Sequence, residues 1–279
     1  MNIKKIGLSA LAGSLVTTSA FAGAMSVAGS ASMNVEHTNG GFGNSGKTFS
    51  MSNQLTFSGS GELDNGLNVS LSFILDQGDD TSVSSGPFDS HSVSVSSDTL
   101  GTLKFSGEGG SSATSALDGT AAGDVWDNFD GTGDITPTGI GTGNNMFMYT
   151  LPTLMDDLSV NISYLPNTTG ADTAIGYSAT FSGVDGLSVS YAAGDGTDDS
   201  TDATVLKASY AYGPVTVAWS NYEYDASGTS SDNETTSYKV TYTVSDDLSI
   251  SYGAETIEEG TSSDVETDSI KASYTTGGM

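Results

Sequence analysis

The sequence predicts an all-β chain, a transmembrane antiparallel up-and-down β-barrel, and three observations carry that prediction. Apolar and polar residues alternate with period two along most of the chain. Short turns alternate with longer polar loops, the asymmetry of outer-membrane barrels. The polar strand positions are Ser, Thr and Asn rather than Lys and Glu, so charge gathers in turns and loops. A soluble sandwich also alternates, but lipid outside and water inside better explain uncharged polar strand faces.

Composition narrows the field further. With 7 Lys+Arg against 34 Asp+Glu the net charge is -27, and all seven basic residues are lysine. Phosphate backbones need clustered positive charge, so nucleic acid is excluded as a partner. No apolar run of about 20 residues occurs beyond the extreme N-terminus, which excludes a helical membrane protein. The absence of cysteine removes disulfides, thiolate-bound zinc and thiol catalysis. Thirty-six glycines with five prolines discourage long helices, while 12 Tyr and 10 Phe are too many for a disordered acidic tail.

In chain order, residues 1–22 read as a secretory signal. Lys4 and Lys5 form the basic start, Ile6 to Val16 the apolar stretch, and Ala20-Phe21-Ala22 the small-x-small site before Gly23. Residues 23–279 are then the exported barrel, and lack of cysteine is no obstacle to export. Phe49, Met51, Leu55 and Phe57 share one strand face, Asp64-Asn65-Gly66 signals a hairpin turn, and Leu67, Val69, Leu71, Phe73 and Leu75 continue on the next strand. The same form recurs in Ile175 to Phe181, Leu187 to Tyr191, Tyr238 to Val244 and Leu248 to Tyr252. Units beginning at Thr173, Thr204, Thr236 and Asp268 repeat every 31 or 32 residues. That is too short for a four-strand propeller blade of about 40 residues, and no nine-residue calcium-binding repeat is present.

Seven tight turns are expected near 64–66, 97–101, 152–157, 183–186, 213–214, 245–247 and 275–278. Seven longer segments alternate with them, at about 37–46, 76–90, 109–144, 166–172, 194–203, 224–234 and 255–268. The count is 14 strands. Tyr164, Tyr191 and Tyr252 fall toward the loop ends of their strands and Tyr210, Tyr242 and Tyr274 toward the turn ends, which predicts two aromatic belts.

At this level the chain resembles the Gram-negative general porins, those of alphaproteobacteria in particular. The residues that carry the resemblance are the signal, Ser26-Val27-Ala28-Gly29-Ser30-Ala31, Leu103-Lys104-Phe105-Ser106-Gly107-Glu108 leading into the long third loop, Asn145 to Tyr149, and Leu158 to Tyr164. The resemblance spans essentially the whole mature chain through degenerate motifs. It implies a 16-stranded barrel, a homotrimer in outer-membrane lipid, passive passage of small hydrophilic solutes and ions, and a third loop folded into the pore. That family ends on a strand with a C-terminal aromatic, whereas this sequence runs Tyr274-Thr275-Thr276-Gly277-Gly278-Met279. The expectation is therefore that 14 strands of an intended 16 are visible; a native 14-stranded barrel is the alternative.

Loop 109–144 is the longest structureless stretch, and such loops are usually functional or disordered. It carries Asp118, Asp124, Asp127, Asp130 and Asp134, with Trp126 and Phe129 as anchors. The functional reading is a constriction presenting carboxylates to the pore; the bland one is a solvated surface loop. Lys104, Lys207, Lys239 and Lys271 lie within strands, at the parity opposite their apolar neighbours, and the last three share one position in the repeat. They are expected to form a basic pore wall, about 10 Å apart across the strands before stagger, facing the loop carboxylates across water. No cofactor is expected, except that Asp195, Asp198 and Asp199, or the Asp76–Asp80 loop, could hold calcium. Neither segment has the EF-hand pattern, and solvated surface charge is the plainer reading. His37 and His91 are isolated, no catalytic constellation surrounds them, and an enzyme is not expected. Two functions remain in view: a passive outer-membrane channel, general or substrate-specific, and an acidic surface protein for adhesion through divalent cations.

Overall fold

The computed structural model describes residues 25–38, 46–76, 88–123, 140–166, 173–196, 201–226, 232–260 and 264–275. The signal expected over 1–22 lies outside them. Fourteen strands follow in order: β1 (Ser26–Thr38), β2 (Gly46–Glu62), β3 (Asn68–Asp76), β4 (Ser90–Ser97), β5 (Gly101–Glu108), β6 (Met146–Thr150), β7 (Leu158–Leu165), β8 (Ala174–Val184), β9 (Leu187–Asp195), β10 (Asp202–Tyr212), β11 (Val215–Asp225), β12 (Asn233–Ser245), β13 (Leu248–Glu259) and β14 (Val265–Tyr274). Each pairs antiparallel with the next, giving one sheet in sequence order. A meander of this kind needs only short connections at one end, which the turn chemistry supplies.

The β2–β3 turn illustrates how. Gly66 holds φ 80°, open to glycine at little steric cost. Its N–H donates to Leu63 O at 2.8 Å, and Asn65 Oδ1 accepts from Leu67 N at 3.1 Å. At the β8–β9 turn Gly186 has φ 74°, and an added Cβ would lie 2.3 Å from Ala211 O on the neighbouring hairpin.

The two faces of the sheet have opposite chemistry, and the distribution is inside out for a water-soluble protein. Large hydrophobics are exposed: Met33 and Ile270 at 77%, Phe49 at 73%. Buried positions on the other face include Ser163, Ser190, Ser220, Ser237 and Glu255. Leaving such apolar side chains in water would forgo about 1.5–3 kcal/mol each, so the apolar face is built for hydrocarbon. Tyr210, Tyr242 and Tyr274 stand on it near the turn ends and Tyr164 near the loop end of β7, whereas Tyr191 sits at the middle of β9 and Tyr252 nearer the turn end of β13, all exposed. The turn-end belt is present as expected. The loop-end belt is not, because β13 runs on to Glu259 and leaves Tyr252 well inside the strand. The distribution is also one-sided, with no Tyr or Trp between β1 and β5.

One segment departs from expectation. Residues 255–268 were expected as a single loop, yet β13 runs on to Glu259 and β14 begins at Val265. Glu255 and Ile257 are 2% and 0% exposed and continue the alternation on the polar face. A glutamate reads as loop in a sequence; here a neighbouring segment covers it, and the strand continues beneath.

Candidate functional site: a loop docked on the polar face

The segment after β5 leaves the sheet at Gly109 and folds back over the polar face. Gly110 and Gly143 form an isolated bridge, with Gly143 N donating to Gly110 O at 3.2 Å, so both arms of the loop are joined at its root. Ser112, Ala113 and Thr114 are fully buried. Ala113 N donates to Ser163 Oγ on β7 at 3.0 Å, and Thr114 Oγ1 donates to Ile140 O on the returning arm at 3.0 Å. A single 3-10 turn, Ser115–Leu117, then lays Leu117 against Ile140, Ala192, Ala203, Val205 and Tyr222. This small apolar cluster sits on the otherwise polar face, where loop and wall exclude water together.

A second contact follows. Lys207 Nζ donates to Gly119 O, Ala121 N donates to Ser220 Oγ at 2.9 Å, Ala122 N donates to Ser237 Oγ at 2.8 Å, and Thr120 Oγ1 donates to Glu255 Oε1. The wall is hollowed under both contacts by glycine. A Cβ at Gly176 would lie 3.5 Å from Ala113 Cβ, one at Gly194 3.3 Å from Thr114 Cγ2, and one at Gly253 2.8 Å from Ala122 Cβ. The loop is therefore seated against β7–β13 at van der Waals range.

Lys104, Lys207, Lys239 and Lys271 all stand on this loop-bearing face. Lys207 pairs with Ser220, Ala218 with Lys239, and Ser251 with Lys271, so each lysine lies two residues nearer the turns than the one two strands before. Combining that stagger with strand spacing separates successive lysines by about 12 Å. A step of one residue per strand matches the roughly 35–45° tilt of outer-membrane barrels, which keeps the three at one height. Lys104 shares a register row with Met148, Ser163, Gly176, Gly194 and Ala203, four residues loopward of Lys207 and five strands back. The same tilt brings it close to that height.

Lys207 does not look across water at the loop, as expected for the basic strip; it touches the loop directly. On the same face β1–β5 carry neutral hydroxyls beside Lys104: Ser26, Ser58, Ser72, Ser92 and Ser106 form one register row, and Ser26 Oγ lies 2.8 Å from Ser58 Oγ.

Of the expected acidic residues, Asp118 is half-buried beside the Tyr222 hydroxyl. Asp124, Asp127, Asp130 and Asp134 lie outside the described residues, as do Asp198 and Asp199. Asp195 ends β9. Among the described residues no group of three or more His, Cys, Asp or Glu is arranged to hold a metal. His91 Nδ1 lies 3.8 Å from Glu108 Oε2, and its ring stacks on Phe73. Ser163, Ser220, Ser237 and Glu255, which grip the loop, are not among the residues the sequence singled out. Their only signal was polar parity, which dozens of other serines and threonines share.

Comparison with known proteins accords with this geometry. No curated protein sequence matches the chain significantly. Among solved structures, OmpF of Salmonella typhi in complex with daunomycin superposes with a TM-score of 0.67 at 15% identity, over 91% of this chain and 86% of that one. A porin refined at 1.8 Å resolution superposes with a TM-score of 0.63 at 18% identity, over 91% of both chains. The anion-selective porin from Comamonas acidovorans gives 0.55 at 16% identity, over 89% and 84%. At these identities the likeness is one of fold. The family model for Gram-negative porins matches residues 7–278. The chain thus belongs to the Gram-negative porin family, water-filled channels of the outer membrane through which small solutes diffuse passively.

Proposed function

We propose a cation-preferring general diffusion channel, working as a homotrimer after removal of residues 1–22, whose narrow passage is set by the docked third loop. The observation that carries the proposal is the seat of residues 110–123 on the polar face of β7–β13: a loop held there takes cross-section from the lumen. The passage left to a solute borders Lys239 and Lys271 on one side and, on the other, the serine row of β1–β5 with Lys104 two residues from its end at Ser106. Asp118, and with it Asp124, Asp127, Asp130 and Asp134, would add negative charge on the loop. Hydroxyls substitute for water without selecting charge, which suits small polar solutes in general.

Net charge sets the preference. Five lysines remain after the signal, against 34 acids. Glu223, Asp225, Asp232, Glu234, Glu258 and Asp264 surround one cleft at the loop ends of β11–β14. Glu223, Glu234 and Glu258 have the parity of the outer face, so this acidic rim stands outside the lumen and draws cations toward the channel entrance. The one-sided distribution of Tyr and Trp supports the assembly: β1–β5 turn outward Val27, Gly29, Ala31, Leu55 and Leu71 together with Met33, Phe49 and Phe57, without interfacial Tyr or Trp. That face suits a second copy of the chain better than a lipid headgroup boundary.

One experiment addresses both points. In a planar bilayer under a salt gradient, conductance should enter in groups of three equal steps with a cation-favouring reversal potential at low ionic strength. The preference should weaken as salt rises, because the Debye length falls from about 30 Å at 0.01 M to about 3 Å at 1 M. An anion-favouring potential would overturn the charge argument, and isolated single steps would overturn the trimer.

A further inference from the structure

We infer that Lys207 and Glu255 are positioning residues, the charged ends of a clamp that holds the pore loop to the wall, and that Lys207 differs in role from its repeat-mates Lys239 and Lys271. The inference rests on the reading of residues 109–144 as the pore loop. Lys207, Ser220, Ser237 and Glu255 occupy one register row across the four adjacent strands β10–β13. Four successive loop residues, Gly119 to Ala122, meet that row, one each. Polarity is matched at every contact: an ammonium meets a carbonyl, two hydroxyls accept from backbone N–H groups, and a carboxylate accepts from a hydroxyl.

Side-chain length is matched as well. The segment is a tight turn, closed by Gly123 N donating to Thr120 O at 3.2 Å, so it is narrower than the four strands it crosses. The long side chains stand at the two ends of the row and reach inward; the short serines stand in the middle. Glu255 is 2% exposed and also accepts from Ser237 Oγ at 3.4 Å, which ties the acidic end to the serine beside it. Among the described residues Lys104, Lys239 and Lys271 have no comparable partner. The repeat thus places three equivalent lysines on the wall, and the loop takes hold of one of them.

The test uses the full-length channel in planar bilayers, with single-channel conductance and open-channel noise as readouts. Lys207→Met and Glu255→Ala should raise the undocked fraction of the loop about tenfold each, equivalent to about 1.4 kcal/mol, near the lower end for a hydrogen bond to a charged group. Excess noise and a shifted conductance should follow, whereas Lys207→Arg and Glu255→Gln, which keep a donor and an acceptor, should stay close to native. Because the sequence has no cysteine, one engineered pair reports alone. Ala122→Cys with Gly253→Cys places the two Cβ atoms where opening by about 1 Å reaches disulfide range. Oxidation of that pair in the Lys207→Met background should silence the noise, and reductant should restore it. In the otherwise native background the pair should cross-link nearly completely, a readout that survives even if Lys207→Met folds poorly. Native-like traces from Lys207→Met, noise that persists with the disulfide closed, or failure of the pair to cross-link would each overturn the clamp. A native protein that forms no channel would count instead against the pore reading, and the cross-linking yield would still decide the clamp.

Discussion

Two adjacent residues of β12 give the sharpest test of which face meets lipid. Val240 is 47% exposed on the apolar face, between Tyr238 and Tyr242 on its own strand and opposite Val217 and Tyr252 on its neighbours. Thr241 faces the other way and pairs with Thr216 and Ser251. Substituting lysine at each in turn changes the same charge at nearly the same height. On the lipid face, mid-band, the penalty is about 2–4 kcal/mol, falling toward zero near the interfaces or in a watery lumen. Val240→Lys should therefore lower the folding equilibrium constant by about 30- to 700-fold, and Thr241→Lys should leave it within a few-fold of native. The assay is reversible urea titration into phosphatidylcholine vesicles, with the heat-modifiable electrophoretic shift reporting the folded fraction. Equal effects at both positions, or a larger one at Thr241, would refute the assignment of faces and with it the barrel orientation. Folding that proceeds equally well without vesicles would do the same.

Two further outcomes follow from particular residues. Lys239→Glu removes a positive charge and adds a negative one at the lumen level, so the cation/anion permeability ratio should rise; an unchanged ratio would place Lys239 outside the conduction path. Gly186→Ala should cost more stability in the same urea titration than Gly66→Ala. Both positions have positive φ, worth about 1 kcal/mol for any side chain, but only at Gly186 would the new methyl also meet a backbone oxygen, Ala211 O at 2.3 Å. Equal losses would mean the β8–β9 turn can relax away from β10.

The sequence by itself determined the strand count, the antiparallel order and the face to which most residues belong. Those properties are local: period-two alternation assigns a face, and Asp64-Asn65-Gly66 or Ser245-Asp246-Asp247 reverses the chain wherever it occurs. Lys104, Lys207, Lys239 and Lys271 were placed on the polar face for the same reason, and the turn-end belt of Tyr210, Tyr242 and Tyr274 could be read before any contact was known. The loop-end belt could not, because it depended on where β13 ends. The tertiary structure alone decided where loop 109–144 rests, because hydrogen bonds between residues 50 to 135 positions apart leave no trace in local patterning. It separated Lys207 from two lysines at the same position of the repeat, since only the register brings Gly119 to one of them. It also turned Glu255 from an expected loop residue into a buried acceptor: a carboxylate reads as solvent-facing until a donor such as Thr120 arrives from another part of the chain. Alternation fixes which side a residue is on; what it meets there depends on a fold that brings distant segments together.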